Sequence, residues 1–131
     1  MNDTLAFQLA IHEVLQRDAR YPAPAYAFLC DALPHTVEML ARADEKDEHV
    51  TGQQLLAGFR DFALKEFGPM ALFTLHEWGI HRSEDVGNMV YNFIAVKYFG
   101  KNETDSLNDF SDGVSLDEAL SKPFRVTKAP R

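Results

Sequence analysis

Apolar residues recur along this chain at spacings of three and four, and the strict alternation of a half-buried strand is nearly absent. Phe7, Ile11, Val14 and Leu15 fall on one helical stripe, with Asn2 or Asp3 available as a cap, and predict a first helix to about Arg17. Tyr21-Pro22-Ala23-Pro24 interrupts the pattern, because proline disfavours helix at the residue before it. Tyr26, Leu29, Leu33, Val37 and Leu40 then form a second face, with a kink or break expected at Pro34. The run Arg42–His49 is charged and reads as a solvated connection.

Thr51-Gly52-Gln53-Gln54 fits a capping box and opens a third helix, with Leu56, Phe59, Ala63 and Phe67 inward. Gly68 suits the end of that helix, and Pro69 blocks its continuation. Met70 to Trp78 makes a short apolar fourth helix, closed by Gly79 with Ile80 placed for the accompanying apolar contact. Ser83 is positioned to cap a fifth helix, with Glu84 and Asp85 near its positive end. That helix turns Val86, Met89, Val90, Phe93 and Ile94 inward and is expected to reach Gly100. Residues 105–113 are acidic and turn-rich, and Ser115-Leu116-Asp117-Glu118 is a second capping box before a brief helix to about Leu120. Helix after helix on short links predicts an all-α fold, a compact bundle of five to six helices. The one β element the pattern allows is a minor two-stranded pairing of 49–51 with 124–127.

The chain has 131 residues, a single-domain length able to bury one core, and its ten Phe supply much of the bulk for it. Its net charge of −7 is uneven. Lys122, Arg125, Lys128 and Arg131 form a basic tail over 122–131. The helical domain 1–121 therefore carries nine basic against twenty acidic side chains, a net −11. An acidic body repels phosphate backbones and weighs against a nucleic-acid partner. Cys30 is alone, so no internal disulfide and no paired-cysteine metal site is available, and it sits in an apolar run as a small core residue would. No apolar stretch approaches the ~20 residues of a membrane span, and the amino terminus lacks a signal-peptide pattern, so a reducing cytoplasm is the expected compartment.

Candidate chemistry is sparse. Phosphate-loop, nucleophile-elbow and dinucleotide motifs are absent, and no catalytic residue, cofactor or metal is assigned. His76 and His81 suggest a zinc helix, but they stand five apart on divergent faces with Gly79 between them. A calcium loop with Gly113 at its sixth position would put Phe110 third and Ala119 twelfth, where oxygen ligands are needed. The fourth and fifth helices have helix-turn-helix spacing, yet the expected recognition helix opens with Glu84 and Asp85, and only Asn88 and Asn92 suit base reading.

Two groups of residues stay as candidates. Asn88 and Asn92 lie one turn apart in an apolar helix with Asp85 on the same side and His81 and Arg82 nearby. This patch either hydrogen-bonds a neighbouring segment, such as the carbonyl freed at Pro34, or faces a ligand or partner. Buried polar groups mostly serve the fold, which favours the first account. Trp78, Tyr91 and Tyr98 are the second group. Tyr91 and Tyr98, seven residues apart on the expected fifth helix, form either an aromatic strip for a partner or part of the core.

The runs HVTGQQLLAGFRDFALKEFGPMALFTLHEWGI and EDVGNMVYNF, with AYAFLCDALPHTVEML and the Asp109, Phe110, Asp112, Gly113 stretch, resemble a small uncharacterised family of planctomycete and verrucomicrobial bacteria. The resemblance spans about Tyr21 to Leu120 and implies a bacterial cytoplasmic protein of this length, with no activity or site residue transferred. The function expected from the residues is a non-enzymatic interaction or self-association module docking through its fourth and fifth helices. The alternatives are a small-molecule- or metal-binding domain, or an enzyme, using the polar patch, and helix-turn-helix DNA binding.

Overall fold

The computed structural model describes residues 3–43, 50–99 and 113–124. Its helices are α1 (Asp3–Arg17), α2 (Ala23–Arg42), α3 (Gly52–Phe67), α4 (Ala71–Glu77), α5 (Ser83–Ala95) and α6 (Leu116–Ser121). Single 3-10 turns occupy Gly68–Met70 and Lys122–Phe124. Among the described residues there is no strand, and the fold is the all-α bundle that the periodicity predicts. Residues 44–49, 105–112 and 125–131 of the charged connection, the acidic stretch and the basic tail lie outside the described residues, as do most positions of the expected β pairing.

α2 and α3 run antiparallel as the central pair. Phe28 meets Phe59, Phe62 and Phe67 at ring-centroid distances of 5.3, 4.9 and 5.2 Å, while His35 reaches Asp61 across the same seam at 2.7 Å. They pack tightly at Gly58, where an added Cβ would meet Thr36 Oγ1 first and sit 2.6 Å from the Cβ of Thr36 and 2.9 Å from its Cγ2. Thr36 is therefore fully buried, and its hydroxyl donates back to the Ala32 carbonyl at 2.7 Å. This contact rotates α2 away from the expected face. Thr36 takes the buried position, and Val37 is 52% exposed. Nor does Pro34 end the helix. It lies on the exposed side, where water can replace the bond that its ring denies to the carbonyl one turn earlier.

Capping explains the other boundaries. Thr51 Oγ1 accepts from the Gln54 amide at 3.1 Å, and Gln54 Oε1 accepts from the Thr51 amide at 2.9 Å, so both halves of the box form. Ser115 caps α6 by accepting from Glu118 N at 3.2 Å. α4 ends in a Schellman motif: Gly79 N–H donates to the His76 carbonyl and Ile80 N–H to the Leu75 carbonyl, both at 2.9 Å. Gly79 takes φ +82°, and a Cβ there would lie 2.9 Å from the Arg20 carbonyl oxygen. Glycine is thus required twice over, by the turn and by the close approach of the α1–α2 connection.

α5 departs from expectation at both ends. Arg82 holds the cap position, Ser83 is buried in the first turn, and the capping acceptor is Asp85. The helix then stops at Ala95 instead of Gly100. Lys97 adopts φ +64°, and the amides of Lys97 and Tyr98 donate to the carbonyls of Ile94 and Phe93 at 2.9 and 2.8 Å. This is a second Schellman closure, with lysine at the position glycine usually fills. It turns Tyr98 and Phe99 back onto Phe93, with centroids 5.0 and 4.9 Å away, and that aromatic packing offsets the roughly 1 kcal/mol cost of a left-handed lysine.

Candidate functional site

The α1–α2 connection is short, bounded by Pro22, and lies against the inner side of α5. Its polar residues meet those of the helix. Tyr21 donates its hydroxyl hydrogen to Asp85 Oδ1 at 2.6 Å, and Asn88 Nδ2 donates to the Tyr21 oxygen at 3.1 Å. One turn on, Asn92 Nδ2 donates to both Asp18 Oδ2 and the Tyr26 hydroxyl oxygen at 2.9 Å. The second oxygen of Asp85 accepts the backbone amides of His81 and Arg82 at 2.8 and 3.0 Å, which starts α5. Arg20 forks onto Asp18 through Nε and a terminal nitrogen at 2.9 and 2.8 Å, and its guanidinium carbon lies 5.3 Å from the Tyr21 ring centre.

The electrostatics follow from this geometry. The Arg20 guanidinium, with Asn92 in addition, holds the Asp18 carboxyl well below the usual carboxylate range. Burial, and then the bond to Asp85, pushes the Tyr21 phenol up to about 12. Burial raises the Tyr26 phenol also. Both hydroxyls stay protonated near neutrality, as a donor to Asp85 and as an acceptor from Asn92.

Of the predicted patch, Asp85, Asn88 and Asn92 are brought together, and each donates to or accepts from the fold. Asp85 and Asn92 are 8% exposed, Asn88 is half-buried, and their partners belong to the α1–α2 connection, the start of α2 and, for Asp85, the α4–α5 link as well, not to the Pro34 turn. His81 and Arg82 turn outward to a different place. They border an open groove of about 310 Å³ with Ser83, Glu84, Ser115 and Asp117. The rings of His76 and His81 are 4.6 Å apart, so the Schellman turn cancels the divergence expected of residues five apart on a straight helix. His76 Nε2 also lies 3.0 Å from Asp117 Oδ1. Among the described residues, no group of three or more His, Cys, Asp or Glu side chains is arranged to hold a metal ion.

The aromatic candidates separate. Trp78 packs with Phe28 and Phe67 at 5.6 and 5.9 Å, whereas Tyr98 packs with a different set of rings, Phe7, Phe93 and Phe99. Because α5 stops before Tyr98, the expected strip of Tyr91 and Tyr98 on one helical face does not form. Tyr91 alone is prominent, 59% exposed. Cys30 is half-buried at the edge of a second groove with Phe7 and Tyr98, and burial pushes its thiol up to about 12, which suits a packing role over nucleophilic chemistry.

The large apolar residues with the highest fractional exposure among those described are not candidates in the sequence reading. Leu5 and Leu9 are 64% and 61% exposed, one turn apart on the side of α1 opposite its buried residues Ala10, Ile11 and Val14. Their spacing was the available signal: both fall off the Phe7–Ile11–Val14 stripe when α1 is drawn as a wheel. Met70 and Phe73, at the start of α4, are 54% and 59% exposed.

Comparison with models of known protein families, with curated proteins and with solved structures finds no match. Among the described residues, no helix is long and apolar enough to cross a membrane.

Proposed function

We propose that this chain is a protein-docking domain that self-associates through the outward face of α1. One observation carries the reading: a helix whose inner face is already buried also turns two leucines to solvent. Single exposed leucines are ordinary on small proteins, but an adjacent pair opposite the core forms a strip that a second helix can cover. The expected docking through the fourth and fifth helices loses two of its three aromatic anchors to the core, and this moves the contact to α1. A reducing compartment fits the single half-buried Cys30.

The test is sedimentation velocity across a concentration series, on the wild type and on the Leu5→Glu/Leu9→Glu variant. The expected result is a concentration-dependent dimer that the variant abolishes. Far-UV circular dichroism and the urea midpoint should hardly move, since exposed substitutions usually stay within about 0.5 kcal/mol. A wild type that stays monomeric at hundreds of micromolar sinks the self-association reading.

A second reading, binding of a small polar ligand, is favoured by the groove beside His81, Arg82 and Ser115. A ligand screen by protein NMR tests it, with shifts expected in those residues and lost in His81→Ala. DNA binding has weaker support, because the two asparagines suited to base reading donate to Tyr21, Tyr26 and Asp18.

A further inference from the structure

The groove beside Cys30 has a volume of about 430 Å³ and is lined, among the described residues, by Thr4 and Phe7 of α1, Ala27, Cys30 and Asp31 of α2, and Tyr98. Residues 27, 30 and 31 share one face of α2, and residues 4 and 7 share one face of α1, because neighbours three and four apart lie together on a helix. Tyr98 reaches the groove because the left-handed Lys97 closes α5 and turns the chain back. The rings of Phe7 and Tyr98 have centroids 6.0 Å apart and planes inclined at 64°, so they form two adjoining walls instead of a stack. Both walls are held from behind. Phe7 abuts Phe93 at 6.4 Å, and Tyr98 packs on Phe93 and Phe99 at 5.0 and 5.9 Å.

The charge in this groove is that of Asp31, the one ionised side chain among the described residues that line it. Asp31 is exposed and, among the described residues, stands in no ion pair. The Cys30 thiol stays protonated beside it, held so by burial and then by the Asp31 charge, and adds no charge of its own. Lys97 precedes Tyr98 in the sequence and Asp3 precedes Thr4, so the immediate chain neighbours of the lining cancel and leave Asp31 uncompensated. Two aromatic walls, the Ala27 methyl and a neutral thiol favour apolar contact, whereas the carboxylate favours a cation. A cation clothed in alkyl groups satisfies both, since it is drawn to ring faces and to the carboxylate together. A bare ammonium is strongly hydrated and gains less from the rings, and an anion is repelled by Asp31.

We infer that this groove binds the alkylated ammonium group of a free small molecule, with Phe7 and Tyr98 as aromatic walls and Asp31 as the counter-charge. The site uses neither Leu5 nor Leu9 and does not depend on self-association. The measurement is a protein NMR titration of the full chain with choline as the probe. The control is the neutral alcohol of the same shape, in which carbon replaces the choline nitrogen. Choline is expected to shift the amides of Phe7, Ala27, Cys30 and Asp31 saturably, and the alcohol to bind at least about fivefold more weakly. Asp31→Asn should weaken choline about fivefold, the upper end for an exposed charge pair. Phe7→Leu, which keeps an apolar wall but removes the ring, should weaken it about threefold. Glu77→Gln, the same charge change outside the lining, should leave it unaltered. If Phe7→Leu fails to fold, Asp31→Asn at its exposed position decides alone. Equal affinity for choline and the alcohol overturns the inference, and so does choline binding that Asp31→Asn leaves unchanged. Shifts scattered over the acidic surface instead of these residues do the same. A peptide bearing trimethyllysine that binds more tightly than choline would assign the ammonium to a protein tail and overturn the free-molecule source.

Discussion

Asn92 is the residue at which the structural account of the polar patch is most exposed to refutation. Its amide makes two hydrogen bonds, to a fully buried tyrosine hydroxyl and to the Asp18 carboxylate, which is 14% exposed. Truncation by Asn92→Ala removes a neutral bond of about 1 kcal/mol and a charged one of about 1.5–3 kcal/mol, and leaves the Tyr26 oxygen without that donor. Arg20 still serves Asp18, which moderates the second loss. The expected destabilisation is about 2–4 kcal/mol, roughly 10 °C in Tm for a domain of this size. Asn88, half-buried and bonded once at 3.1 Å, should lose only about 0.5–1.5 kcal/mol as Asn88→Ala. The assay is urea unfolding followed both by circular dichroism at 222 nm and by Trp78 fluorescence, with coincident transitions required. A double-mutant cycle with Tyr26→Phe should return a coupling of at least about 0.5 kcal/mol. If Asn92→Ala unfolds within about 0.5 kcal/mol of wild type, the cluster is not holding α5 to the α1–α2 connection, and a ligand-facing role regains the residue.

Three further outcomes follow from the same geometry. Gly79→Ala should cost roughly 2–3 kcal/mol in urea unfolding, since it combines a positive φ with a Cβ 2.9 Å from the Arg20 carbonyl; a loss under 1 kcal/mol would mean that this connection moves freely. Gly58→Ala should destabilise by about 1–3 kcal/mol because the added Cβ meets the Thr36 side chain, and Thr36→Ala in the same chain, which removes Oγ1 and Cγ2 from the contact, should restore part of it, as read by thermal unfolding. Tyr21, with its phenol raised from 10 to about 12, binds its proton more tightly when folded, so its contribution is complete below pH 10 and is lost as pH rises towards 12. The stability gap between wild type and Tyr21→Phe should therefore close across that window, and a gap unchanged by pH would refute the burial of the phenol together with its bond to Asp85.

What the sequence determined here is local. Thr51 with Gln54, Ser115 with Glu118, and Gly79 followed by Ile80 act within a turn of their own backbone, so their positions along the chain suffice to place the ends of α3, α4 and α6. The apolar stripe of α1 and the fold class are legible for a similar reason, since helical periodicity is a property of neighbours three and four apart. Tertiary structure decided the rest. The end of α5 at Lys97 depends on Tyr98 and Phe99 finding Phe93, and no glycine marks the place. The face of α2 is set by Gly58 meeting Thr36, a choice that no pattern within α2 contains. The asparagines of α5 announce a hydrogen-bonding task but not their partners, because Tyr21, Tyr26 and Asp18 lie more than sixty residues away. Exposure is the least local property of all. Leu5 and Leu9 fall off the apolar stripe of α1, but Met70 and Phe73 stand in an apolar run like core residues, and only the packing of the described helices shows that they are exposed.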